Sequence, residues 1–175
     1  MHSGDASARV RRLSIIATCC ALAAGCASLP WPDEPGVPVA LSRAANMQVE
    51  DLFLAQLTKD RQAMNLGPPI TSPQKQEGIR VFAEDLQAGK ISAPEAQRSI
   101  ERWGRAAYRR AVSTWFIDCT AGDAMKLPRA LADRPAAVVS FAAAHFRPRS
   151  RASDQCAVLV VAVEASSEST LEQKP

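Results

Sequence analysis

The sequence is poor in several residue types on which functional sites often depend. Aromatic residues make up 5% of the 175 residues, and there are two histidines. Lys and Arg number 21 against 18 Asp and Glu, and a net charge of +3 is small for a dedicated nucleic-acid-binding protein. Few aromatic residues also disfavour a surface on which bases stack. We therefore expect no nucleic acid among the partners of this protein.

Signatures of common enzyme classes are missing as well. The sequence contains no GxSxG, HExxH or GxGxxG segment and no Walker-type GK[ST]. Glu84, Asp85, Asp118 and Asp123 carry carboxylates suited to acid–base chemistry, but nothing in their spacing brings two of them together. His145 is expected on the apolar face of a strand, where a histidine is usually a packing residue. The sequence thus predicts no catalytic residue, no cofactor and no metal site.

The first 25 residues have the pattern of a secretory signal peptide. Arginines at positions 9, 11 and 12 precede an uncharged run over residues 13–24. This run is too short to span about 30 Å of hydrocarbon as a helix, but it has the length of a signal-peptide core. We expect residues 1–25 to be absent from the mature protein.

The end of this segment resembles the lipobox of bacterial lipoproteins. The residues that carry the resemblance are Leu22, Ala23, Ala24, Gly25 and Cys26. It implies that a diacylglycerol modifies the Cys26 thiol, that the chain is cut before Cys26, and that an acyl chain such as palmitate is added to the new amino terminus. Such a protein is held stably in the membrane, because it carries more than one acyl chain. Ala23 departs from the leucine that is commonest at its position.

The residue after the cysteine bears on the location of the protein. Ala27, rather than Asp, follows Cys26. By the same resemblance, this implies transport to the outer membrane and a place on the periplasmic face of the envelope. Two alternatives stay open: an ordinary secretory signal cut near Ala23 or Cys26, and a translation start further downstream.

Removal of the signal leaves three of the five cysteines. Cys26 would carry the lipid, and Cys119 and Cys156 remain as a pair in a compartment where disulfides persist. A bond between them would close a separation of 37 residues and remove chain entropy worth about 3–4 kcal/mol. Two unpaired buried thiols are the alternative. A metal or redox pair is disfavoured, because the sequence has no CxxC spacing.

The pattern of the mature chain predicts an α+β domain over residues 47–164. Four prolines and a glycine in residues 26–46 indicate an extended tether, with Trp31 either at the lipid interface or shielded against the domain. Apolar spacing and caps predict three helices followed by a hairpin of two strands in a small sheet. The helices are expected over 49–66, from Ser72 to Gly89 and from Ser92 to about Phe116. A helical turn at 128–132, strands at 137–146 and 156–163, and a flexible tail at 165–175 complete the prediction.

Two groups of arginines are candidate contacts for anions. Arg147, Arg149 and Arg151 lie in the loop between the predicted strands, and we expect them to contact an anionic lipid or a glycan unless the loop is simply solvated. The predicted third helix carries a second group, which we interpret as a solvated face with Glu95 and Glu101 as partial partners. Its members are Arg98, Arg102, Arg105, Arg109 and Arg110.

The first two predicted helices resemble the start of the cysteine-rich secretory protein (SCP-like) superfamily. The resemblance lies in residues 53–61 and 64–70, with Trp115 matching a tryptophan of a later helix and the two strands matching the last two of the sheet. Phe82 stands where the family has a histidine of its cavity. The resemblance therefore implies a cleft near the second and third helices, lined by residues such as Glu84 and Trp103, that has lost the histidines and acidic residues of the family.

These observations predict a lipid-anchored, non-enzymatic binding or accessory module of the bacterial envelope. Its expected partners are the membrane through acylated Cys26 and another envelope protein, an anionic lipid or a glycan. One alternative is an SCP-like domain that retains a cleft for a lipid, peptide or sugar. The other is a structural accessory of a secretion or surface-assembly system, which would present a large exposed apolar patch.

Overall fold

A computed structural model describes residues 31–120, 125–135 and 137–164. The predicted signal peptide, Cys26 and the predicted tail at 165–175 lie outside the described residues. The fold is α+β, as the sequence predicts. Its elements in chain order are α1 (Arg43–Ala63), β1 (Ile70–Thr71), α2 (Pro73–Gln87), α3 (Ala93–Tyr108), β2 (Ser113–Asp118), α4 (Arg129–Ala132), β3 (Ala137–Phe146) and β4 (Gln155–Glu164).

The sheet has four strands in the order β1-β3-β4-β2, two more than the predicted hairpin. The hairpin itself is confirmed: β3 and β4 are antiparallel, with Ala137 opposite Glu164 and Phe146 opposite Gln155. β2 pairs antiparallel with the other side of β4. β1 pairs parallel with the beginning of β3, where Ile70 lies opposite Val138.

Helices cover both faces of this sheet. Successive side chains of a strand point to opposite faces, so each face of β3 and β4 is apolar and needs its own cover. On one face, α1 packs through Phe53 and Leu57 against Val139 and Val160. On the other face, α2 and α3 pack against the alternate strand residues through Ile79, Leu86, Ala96 and Ile100. The result is a sheet between two layers of helices.

The predicted third helix is too long. α3 ends at Tyr108, and Arg109 adopts a left-handed backbone conformation with φ of 51°. Residues 113–118 form β2 instead, because a run of β-branched and aromatic side chains suits a strand that pairs along its whole length with β4. Trp115, expected on this helix and used in the SCP-like resemblance, lies in β2 opposite Val160.

The described part of the predicted tether packs against the domain instead of extending from it. Trp31 is 8% exposed, and its ring centroid lies 4.5 Å from that of Phe146 and 5.0 Å from that of Phe116. The Val37 N–H donates to the Arg147 carbonyl over 2.8 Å. α1 begins at Arg43, six residues before the predicted start at 49. Aromatic burial and this β-bridge thus hold residues 31–42 on the domain.

The ends of the helices follow from local sequence. Ser42 and Ser92 accept hydrogen bonds at their side chains from the N–H groups of Ala45 and Glu95, which satisfies donors in the first turns of α1 and α3. Ser72 occupies the predicted N-cap position of α2 without a side-chain cap bond. Gly89 follows α2 with φ of 66°, a conformation that favours glycine, and the Gly36 carbonyl approaches it too closely for a side chain.

Candidate functional site

The outer edge of β3 pairs with other backbone segments at its two ends and has no backbone partner between them among the described residues. β1 pairs with Val138 and Val139, and Val37 forms a bridge with Arg147. Between these places, the described residues make one hydrogen bond to the edge, from the Ala143 N–H to Glu50 Oε1 over 3.1 Å. Alternate residues of a strand direct their N–H and C=O groups to the same side. The backbone groups of Phe141 and His145 therefore face the same outer edge as those of Ala143.

α1 and α2 lie on opposite faces of the sheet, and their side chains meet across this edge through the contacts of Glu50 with Arg80 and of Asn46 with Gln87. The two helices and the edge of β3 enclose a trough on either side of these contacts. We call this the edge trough. It contains a cavity of about 450 Å³ towards the end of β3 and one of about 240 Å³ towards its beginning. The larger cavity is lined by residues 38–41, by Asn46 and Glu50 of α1, by Arg80, Ala83, Glu84 and Gln87 of α2, and by Ala143. Met47, Leu54, Gln76 and Phe141 are among the residues that line the smaller one.

A largely buried ion pair divides the edge trough in the middle. Glu50 is 6% exposed, and its Oε2 lies 3.2 Å from Arg80 Nη2. Arg80 also bonds Glu77, and Gln76 Nε2 lies 3.5 Å from Glu50 Oε2. Burial lowers the pKa of Arg80, but the charges of Glu50 and Glu77 outweigh burial and the pKa is raised. Arg80 is therefore a permanent cation that holds the Glu50 carboxylate against the edge of β3.

A second set of hydrogen-bonded polar side chains lies at the end of the trough near residues 38–41. Asn46 Nδ2 donates to Gln87 Oε1 over 2.8 Å, and Asn46 Oδ1 lies 2.9 Å from His145 Nδ1. Gln87 Nε2 donates to the carbonyls of Val39 and Leu41. Burial lowers the pKa of His145, partly offset by the charge of Asp154, so the imidazole is neutral at pH 7. These groups position residues 38–41 over the trough.

The trough combines several kinds of chemical group. It presents backbone donors and acceptors of a strand edge, walls that combine apolar and polar side chains, and one carboxylate that contacts both the edge and an arginine. The prediction that His145 is a packing residue on the apolar side of β3 agrees with its half-buried position beside Asn46.

The two cysteines predicted to pair are brought together. Cys119 follows β2 and Cys156 lies in β4, with their Sγ atoms 2.01 Å apart and their Cα atoms 4.9 Å apart. The Cys119 N–H donates to the Cys156 carbonyl over 3.0 Å, and both residues are buried. The pair therefore joins two neighbouring strands at the end of the sheet where β2 ends and β4 begins.

The predicted arginine loop lies at the same end of the sheet as Trp31. Arg147, Arg149 and Arg151 are exposed in the turn between β3 and β4. Arg147 Nε bonds Asp154 Oδ1 over 2.6 Å, and Arg151 Nη1 bonds Gln155 Oε1 over 3.1 Å. In the predicted solvated face of α3, Arg98 contacts Asp33 and Arg105 contacts Glu101.

The cleft implied by the SCP-like resemblance is found only in part. Glu84 lines the larger cavity of the edge trough. Trp103 does not, since it packs against Gly78 and lies edge-on to Tyr108 on the other side of α2. The predicted acid–base candidates are not brought together: Asp85 bonds Lys90, and Asp118 accepts from the N–H of Thr120. Asp123 lies outside the described residues.

Sequence reasoning missed Glu50, Arg80 and Asn46. The available signal was on α1, where Glu50 and Arg61 fall in register with the buried Phe53 and Leu57. Charged residues at such spacing share the buried face of a helix and must find polar partners there. The partner Arg80, 30 residues away, is identified only by the tertiary structure.

Comparison with models of protein families, with curated proteins and with solved structures finds no match to this chain. The resemblance to SCP-like domains and to lipoproteins accordingly stays a prediction from the sequence. Within the described ranges, no helix is both long and apolar enough to cross a membrane. Among the same residues, no three His, Cys, Asp or Glu side chains form a group that could hold a metal ion.

Proposed function

We propose that the protein is a lipid-anchored module of the bacterial envelope that binds an extended segment of another envelope protein in the edge trough. The observation that carries the proposal is the edge of β3 at Phe141, Ala143 and His145, which no backbone segment of the described residues pairs with and which side chains of Glu50 and Asn46 occupy. An exposed strand edge pairs with an incoming extended chain through backbone hydrogen bonds, and pockets beside it accept alternate side chains.

The chain itself supplies two examples of the geometry required. β1 adds to β3 in the parallel direction at Val138 and Val139, and Val37 adds in the antiparallel direction at Arg147. An extended segment of a partner would occupy the space between these two additions. Its carbonyl would accept from the Ala143 N–H in place of Glu50, whose carboxylate would keep Arg80 as its partner.

Two further observations support the location in the envelope. Residues 22–26 resemble a lipobox, and Cys119 and Cys156 lie at disulfide distance, which suits an oxidising compartment. The polar residues of the trough hold residues 38–41 and one another, which favours a binding role over a catalytic one.

Photocrosslinking in cells tests the binding site. Met47 and Leu52 are both exposed apolar residues of α1, at 50% and 46%, but Met47 lines the trough and Leu52 does not. A photoreactive amino acid at position 47 should give a discrete crosslinked species whose partner peptide is a single segment. The same amino acid at position 52 is the matched control and should give none.

A second pair of variants tests whether backbone pairing is involved. Ala143→Pro removes the edge N–H but none of the hydrogen bonds to β4, and should abolish the crosslink at position 47. In a binding measurement with the crosslinked segment as a synthetic peptide, Met47→Lys should weaken binding, whereas Leu52→Lys should not. Equal crosslinking at positions 47 and 52, or none at 47, would contradict the proposal.

A further inference from the structure

We propose that the domain sits directly on its anchoring membrane, with the β3–β4 loop (residues 147–154) against the phosphate headgroups of anionic lipids. The proposal rests on the lipid anchor at Cys26. It adds an orientation and a lipid contact site to the proposed function, and it concerns a different surface from the edge trough.

The first argument is the length of chain between the lipid and the folded domain. Trp31 is fixed by its contacts with Phe146 and Phe116, and it follows Cys26 by five residues. Even a fully extended chain covers about 17 Å over five residues. The side of the domain that carries Trp31 therefore cannot move far from the bilayer surface.

The second argument is what lies beside Trp31. Trp31 and Pro148 line the same small cavity, together with Phe146 and Gly36. The Arg147 carbonyl accepts from Val37 and lies against Gly36, so residues 31–37 run beside the start of the β3–β4 loop. The short connection to the lipid thus ends next to this loop. The opposite end of the sheet, where Ala137 pairs with Glu164, is a full strand length away.

The third argument is charge. The loop contains three arginines and one aspartate, Asp154, which gives a net charge of +2 (3 − 1). Residues 147 and 149–154 are exposed, and Asp154 is held by Arg147. Two further carboxylates lie nearby: Asp33 is held by Arg98 and Ser92, and Glu34 lines the same small cavity as Trp31 and Pro148. Attraction of cations to anionic lipid decays within about 8–10 Å at physiological salt, so the short connection at Trp31 is what makes these arginines effective.

Hydrogen exchange on the acylated mature protein in vesicles tests this orientation. The vesicles are phosphatidylcholine alone or phosphatidylcholine with about 30% phosphatidylglycerol, an anionic lipid. Backbone amides of the exposed loop residues should exchange at least about fivefold more slowly in the anionic vesicles, because each cation at an anionic surface contributes about that factor. Raising the salt concentration should remove the difference, and free glycerol phosphate without vesicles should not reproduce it.

Two triple variants serve as a matched pair. Replacing Arg147, Arg149 and Arg151 with Gln should abolish the slower exchange in anionic vesicles. Replacing Arg102, Arg105 and Arg109 with Gln removes the same charge from exposed positions of α3 and just after it, and should leave it intact. Equal loop exchange in both vesicle types, for acylated protein that floats with the vesicles, would overturn the orientation alone. A protein without acyl chains would overturn the anchor, and the orientation with it.

Discussion

Arg61 is the largest fully buried side chain of the described residues. Its guanidinium donates to four carbonyls: Nε to Gly67 over 2.7 Å, Nη1 to Ala132 and Arg134 over 3.2 and 2.6 Å, and Nη2 to Pro135 over 3.2 Å. Burial lowers the pKa of Arg61, but an arginine stays charged at any physiological pH. One side chain thus joins the end of α1, the turn before β1 and the segment after α4.

Replacing this side chain should strongly destabilise the protein. In Arg61→Met, four carbonyls lose a charged donor in a buried site, and the free energy of unfolding should fall by about 3–5 kcal/mol. Urea unfolding at neutral pH measures this change. Lys59→Met, which removes a positive charge from an exposed position of the same helix, should change stability by no more than about 0.5 kcal/mol. Similar losses in the two variants would show that the carbonyl contacts of Arg61 contribute little.

At the scale of elements, the contact between α2 and α3 depends on a missing side chain. A Cβ atom at Gly78 would lie 2.4 Å from Cζ2 of Trp103, so the indole ring can pack on α2 only because residue 78 is glycine. Alanine normally stabilises a helix interior over glycine by up to about 1 kcal/mol. Here the steric conflict acts in the opposite direction.

Gly78→Ala should therefore lower the thermal midpoint in spite of its better helix propensity. The expected loss is about 1–3 kcal/mol, the usual cost of overpacking, and the fluorescence of Trp103 should shift as its ring moves. Gly67→Ala is the control, because nothing lies within 4 Å of a Cβ atom there. It should leave the midpoint unchanged or raise it slightly. A more stable Gly78→Ala variant would mean that Trp103 does not pack there.

The elements differ in how well local sequence predicts them. β3 and β4 were predicted within one residue, because long apolar runs with many β-branched residues suit buried strands. The sequence predicts a helix where β2 lies, because the alanines and arginines before it continue a helical pattern. The strand conformation of these residues depends on their pairing with β4. β1 has two residues, too few for any periodicity. The edge trough lies between α1 and α2. A local sequence pattern does not predict how two helices on opposite faces of a sheet are placed relative to each other, so it does not predict the trough.

At the scale of the whole molecule, one end and one side of the sheet have different roles in our proposals. Trp31 and the β3–β4 loop lie at one end of the sheet, near the proposed anchor. The edge trough runs along the side of the sheet, at the edge of β3. A domain held by its Trp31 end would therefore keep the trough open to partners beside it in the periplasm. This arrangement depends on whether Cys26 is acylated.

Intact-mass analysis of the protein purified from membranes decides that question and tests the disulfide in the same experiment. We expect a chain that begins at acylated Cys26 and gains the mass of two hydrogen atoms on reduction, because Cys119 and Cys156 would be its remaining cysteines. Cys119→Ser should lose the response to reduction and keep the acyl groups, whereas Cys26→Ser should lose the acyl groups and leave the membrane fraction. An unmodified Cys26, or a chain that still carries residues 1–25, would contradict the anchor. An unchanged mass on reduction would contradict the disulfide alone, since the two modifications involve different cysteines.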